Sequence, residues 1–97
     1  MELKINVYAD CTSEEPSKTY TIRRILFKTA KELGALQAES AEADESKQEE
    51  YTLKMLKTVF PNFEDEDLNG VDPIELGQFF RKLGAEIRGV VQNAQKN

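Results

Sequence analysis

The last third of this chain carries an apolar stripe too long to leave uncovered, and hiding it is the main constraint on the fold. Leu76, Phe80, Leu83, Ile87, Val90 and Ala94 recur at steps of four and three, and Phe79 and Val91 widen the band. That spacing lines one face of a helix and predicts a long C-terminal helix over residues 73–94. Its start is marked. Asp72 is suited to accept from the first-turn amides, and Pro73 has no donor to leave orphaned at the first helical position. Glu75 stands where a capping-box acid belongs.

With 97 residues the chain is expected to form a single domain. A domain of this size buries only roughly 60–65% of the surface its unfolded chain exposes, so part of the apolar surface is expected to seek a partner. The formal net charge of −5 lacks the basic excess that nonspecific nucleic-acid binding requires. There is no histidine, and Cys11 is the only cysteine. The commonest general base, the usual nucleophile pairings and the usual zinc ligand sets are therefore missing. The expectation is a chain that is not an enzyme and uses no cofactor or metal. No charged segment followed by an apolar run opens the sequence, and no apolar run approaches transmembrane length. Together with the single cysteine, this points to a reducing cytoplasm.

Residues 2–9 alternate, with Leu3, Ile5 and Val7 on one face and Glu2, Lys4 and Asn6 on the other, as a half-buried strand does. A polar loop follows over residues 10–17. Thr19, Tyr20 and Thr21 make residues 18–22 a second strand, and the two suggest a hairpin that needs a helix to pack on. From Arg23 the period changes. Leu26, Ala30 and Leu33 share a helical face, which predicts a helix over 23–37, although the IleArgArgIleLeuPhe run fits either period. Residues 38–46 read as an acidic linker. Ser46 and Glu49 have capping-box spacing, and Leu53, Leu56, Val59 and Phe60 define a helix over 47–60 that Pro61 terminates. The fold expected is a mainly α domain of about three helices with a short N-terminal β-hairpin.

Charge is unevenly divided along this chain. Residues 1–37 balance at +1, residues 38–72 at −8 and residues 73–97 at +2. Such a distribution is compatible with head-to-tail self-association, and equally with a solvated acidic face. Arg23, Arg24, Lys28 and Lys31 admit a nucleic-acid reading, but a solvated helix face explains them more simply in an acidic protein. Asp65, Asp67, Asn69 and Gly70 match the first half of an EF-hand loop. The second half fails, because Leu76 stands where the bidentate carboxylate is needed. Gly77 and Gly84 lie seven apart inside the last helix, where each costs roughly 1 kcal/mol relative to alanine. They read as a site of close helix contact with a partner helix or a second copy.

The stretch from Leu53 to Leu76 resembles the tail assembly chaperones, or tape-measure chaperones, of long-tailed bacteriophages. The likeness rests on a helix ending in Val59 and Phe60, then Asn62 and Phe63, an acidic run, and Leu68, Gly70, Asp72, Glu75 and Leu76. The short stranded start, the length and the acidity are also similar.

The resemblance implies a helical, non-enzymatic protein of the infected host cytoplasm that is absent from the mature virion. It implies as partners the tape-measure protein, further copies of the chain itself and the tail tube protein, with no nucleic acid and no membrane. Many such proteins are extended by a programmed frameshift, and Lys96–Asn97 is one pair that a slippery heptamer can encode. The residues expected to be shared between core, neighbour and client are Phe79, Phe80, Leu83, Ile87 and Val90. The rival readings are a head–tail or tail-completion protein retained in the virion, and a small nucleic-acid-binding regulator.

Overall fold

Strands β1 (Leu3–Val7) and β2 (Lys18–Ile22) form an antiparallel hairpin, with Leu3 opposite Ile22 and Val7 opposite Lys18. The computed structural model describes the backbone of residues 1–95 and the side chains of residues 1–89. Three helices follow the hairpin: α1 (Phe27–Glu42), α2 (Gln48–Val59) and α3 (Pro73–Gln95), with 3-10 turns at Glu45–Lys47 and Asp65–Gly70. The protein is therefore the mainly helical domain with an N-terminal hairpin that the periodicities predict.

The alternation of β1 becomes its packing. Leu3, Ile5 and Val7 are buried, and Ile5 is only 1% exposed. They meet Leu33 of α1, Leu56, Val59 and Phe60 at the end of α2, Phe63 beyond it, and Phe79 and Leu83 of α3 in one core. Two strands alone are marginal in water, and this apolar cover from the helices is what sustains them. Tyr20 reaches across from β2. Its ring lies 5.6 Å from Phe60 and 5.1 Å from Phe63, and Phe60 continues the chain of rings to Phe79 at 5.6 Å. Such tilted contacts add to the area they bury.

Local expectations change at the edges of the helices. First, the helix predicted over 23–37 begins only at Phe27. Leu26 is extended at φ −73°, ψ 151°, because the preceding residues leave β2 rather than start a helix, and Ile25 packs on the core instead. Second, the predicted linker 38–46 is largely helical, since α1 runs on to Glu42. Alanine and glutamate hold a helix without burial, and the Gln48 amide donates to the Ser40 carbonyl at 2.8 Å and the Ala43 carbonyl at 3.4 Å, satisfying orphan acceptors of the last turn. Third, Ser46 does not cap α2. The Glu45–Lys47 turn runs straight into that helix, with the Gln48 amide donating to the Glu45 carbonyl, and no side chain caps it.

At the head of α3, Asp72 does cap, its carboxylate accepting from the Ile74 amide at 2.8 Å. Glu75 is not the capping-box partner, because its carboxylate is engaged by the hairpin. The capping box of the structure lies earlier, where Glu64 and Asp67 serve each other's amides.

Candidate functional site

Gly70 and Glu75 stand at the joint between hairpin and helices. Glu75 accepts from the Tyr8 hydroxyl at 2.8 Å and from the Asn6 amide at 3.2 Å. That bond, with burial, raises the Tyr8 phenol above its ordinary pKa. The Tyr8 backbone amide donates to the Gly70 carbonyl at 2.7 Å. A methyl group at Gly70 would sit 2.6 Å from the Tyr8 carbonyl oxygen and 2.7 Å from Val7 Cγ1, so the hairpin approaches this turn as closely as glycine permits.

Next to it stands Asp67, the one charged residue buried among the described residues, 5% exposed. It accepts from the Tyr20 hydroxyl at 2.5 Å, the Lys18 ammonium at 3.0 Å and the Glu64 amide at 3.0 Å. Burial pushes its pKa up, but the Tyr20, Glu64 and Lys18 donors together outweigh burial and hold it below the usual carboxylate value. The same contact raises Tyr20 and Lys18. A carboxylate committed to three protein donors ties β2 to the Asp65–Gly70 turn. Asp65 is paired with Lys57, so both aspartates of the half EF-hand pattern are engaged within the chain. No group of three or more candidate metal ligands comes together among the described residues.

Another face of α3 borders the other two helices. A shallow groove of about 240 Å³ runs between the helices, lined by Leu33, Gln37 and Ser40 of α1, Thr52 and Met55 of α2, and Phe80, Leu83 and Ile87 of α3. The five residues expected to serve client and neighbour therefore divide. Phe79 and Leu83, 3% and 2% exposed, belong to the core. Phe80 and Ile87 are half-buried and line the groove, and the Val90 side chain lies outside the described residues.

Gly77 is exposed and Gly84 borders the groove, and a methyl group at either would meet nothing within 4 Å. Among the described residues nothing packs closely on either glycine.

A wider cleft of about 820 Å³ separates the β1–β2 loop from the Asp65–Gly70 turn. Its lining mixes acids, among them Asp10, Glu14 and Glu75, with Val7, Tyr8, Val71 and the exposed Cys11. Of the four cations read from the sequence, Arg23 pairs with Glu2 at 3.0 Å, while Arg24, Lys28 and Lys31 make no ion pair among the described residues. No described helix is long and apolar enough to cross a membrane.

Sequence reasoning missed the Asp67–Tyr20 tie and the α1–α2 wall of the groove. Only the β-strand placement of Tyr20 hinted at the former, and nothing local could reveal the latter. No family model, curated protein or solved structure matches this chain.

Proposed function

We propose that this protein is a tail assembly chaperone that binds the tape-measure protein and keeps it soluble. The observation that supports the reading is the apolar groove of Met55, Phe80 and Ile87, held half open between three helices. A groove lined by an unbranched thioether and by partly buried apolar side chains accepts an amphipathic helix of loose sequence, because such side chains re-pack against varied partners. A tape-measure protein offers many such segments in series. Individually weak contacts then gain from multivalency as copies line one client. The polar contacts of Asp67, Tyr20, Lys18 and Glu75 are compatible with the same reading, since they hold the hairpin on the helices and leave the groove between the helices apolar.

The test is co-expression with the large coiled-coil protein encoded beside it. The expected result is a soluble complex that Phe80→Ala weakens. A client that stays insoluble with and without this chain overturns the reading. Recovery of the chain in purified particles would favour a retained virion component instead.

A further inference from the structure

Residues 16–31 hold five cations and no acid in a chain that is acidic overall, so this one stretch is electrostatically unlike the rest. It covers β2 and the entry to α1. Two of its cations are engaged, Lys18 with Asp67 at 3.0 Å and Arg23 with Glu2 at 3.0 Å. Arg24, Lys28 and Lys31 make no ion pair among the described residues. The helix they surround adds to their field. No acid stands in the first turn of α1 and no side chain caps it, so its positive end is uncompensated.

The same spot carries large apolar side chains in water. Leu26 is 60% and Phe27 52% exposed. Met1, 48% exposed, comes to the same end of the hairpin, because Leu3 pairs with Ile22 and Glu2 with Arg23. Ile25 packs on the core and anchors the turn that presents its two successors. The Lys31 ammonium lies 6.0 Å from the centre of the Phe27 ring, at the edge of the range in which a cation and a ring attract. The result is an apolar knob ringed by cations.

Its shape selects its partner. None of Met1, Leu26 and Phe27 lines the groove between the helices or the cleft beside the hairpin loop. Peptides and small molecules are held in concavities. Protruding apolar side chains suit a surface that yields around them. An anionic bilayer does so, since its acyl boundary takes apolar side chains and its phosphates take cations and uncapped helix amides.

We propose that the entry to α1 is a peripheral docking surface for an anionic lipid bilayer, with Leu26 and Phe27 entering the headgroup boundary and Arg24, Lys28 and Lys31 on the phosphates. The contact is peripheral, because no described helix is long and apolar enough to cross a membrane. It departs from the family resemblance, which implies no membrane partner, and it is independent of client binding, because the groove residues take no part. The overall negative charge does not forbid it. The acid-rich stretch lies toward the far end of α1, whose 16 residues span roughly 24 Å. At 0.15 M ionic strength the screening length is about 8 Å, so a surface at Phe27 is largely screened from those acids. Glu32 is the one acid in the first half of α1 and offsets part of the local charge.

Flotation of the full chain with vesicles tests the proposal. Vesicles of phosphatidylcholine alone are compared with vesicles holding phosphatidylcholine and phosphatidylglycerol in equal parts. The expected result is binding to the mixed vesicles only, at about 0.15 M salt, and its loss at about 0.5 M, where the screening length is about 4 Å. Lys28→Gln is expected to weaken binding about fivefold. Phe27→Ser is expected to weaken it at least about fivefold, with unchanged circular dichroism. Ile74→Ser, at a position 73% exposed beyond the Tyr8 end of the hairpin, is expected to bind as the parent does. The chain has no tryptophan, so Leu26→Trp supplies a lone reporter, and its emission is expected to move to shorter wavelength on the mixed vesicles. Should Phe27→Ser fail to fold, Lys28→Gln and Leu26→Trp decide.

A chain that floats with neither kind of vesicle overturns the inference, as does one that binds both alike. So does binding that a folded Phe27→Ser leaves intact, or a Leu26→Trp emission that does not move. A single-stranded DNA mobility shift that Lys28→Gln abolishes, while the mixed vesicles stay bare, assigns the surface to nucleic acid and also overturns it.

Discussion

The Tyr20 hydroxyl donates to the Asp67 carboxylate at 2.5 Å across 47 residues of sequence. One bond thus closes the second strand of the hairpin onto the turn that precedes the last helix. Because Asp67 is buried and Tyr20 packs between Phe60 and Phe63, the polar tie and the aromatic contacts stand or fall together.

Removing the tie should cost more than its surface neighbours do. Tyr20→Phe is expected to lower stability by about 1.5–3 kcal/mol, since the bond is to a charged acceptor that stays buried. Glu2→Ala, which breaks exposed pairs with Lys4 and Arg23, should change it by less than about 1 kcal/mol. Urea denaturation midpoints of the two variants measure the difference.

The same cluster sets a pH dependence. Asp67 is held below its ordinary pKa, so its contribution is complete above the unfolded value of about 4 and fades as pH falls through the lower folded value. Tyr20 is raised, so its contribution is complete below the unfolded value of about 10 and fades as pH rises through the higher folded one. Stability should therefore be lost at both extremes. Asp67→Asn should flatten the acid limb in a urea midpoint profile.

Glycines should differ in sign. Gly70→Ala forces a methyl group to 2.6 Å from a backbone oxygen and should destabilise by about 1–3 kcal/mol. Gly77→Ala and Gly84→Ala add a methyl group to open helix positions and should each stabilise by about 0.5–1 kcal/mol. In a domain of this size that is a rise in melting temperature of roughly 2–8 °C. If either glycine faces a second copy, the same variant should melt higher yet associate more weakly.

Adjacent aromatics on α3 should also separate. Phe79→Ala empties a core position and should cost about 3–5 kcal/mol. Phe80→Ala acts at a half-buried groove residue and should cost less while impairing client solubility. Ile74→Ala, at a position 73% exposed, should stay within about 0.5 kcal/mol of the parent. Thermal melts of the three rank them directly.

Much of the architecture could be read from residue order alone. Alternation over Leu3–Val7, the Asp72–Pro73 start of α3 and the stop before Pro61 depend on side chains within one or two turns of each other, where backbone geometry converts spacing into a face or an end. The edges of α1 did not follow the same way. Residues 23–26 satisfy both periods, and only the attachment of β2 decides between them, while the far end is held by Gln48 from the next helix.

Sequence by itself determined the element types, the long apolar band of α3 and the uneven charge, because these are local properties of residue order. Tertiary structure decided what each residue meets. It made Asp67 a buried tie instead of a loop ligand, and it gave Glu75 to Tyr8 instead of a helix cap. It enclosed Phe79 and left Phe80 at a groove. Two neighbours on one helix differ by about 100° in direction, and only the placement of the hairpin and of α1 says which of them is covered.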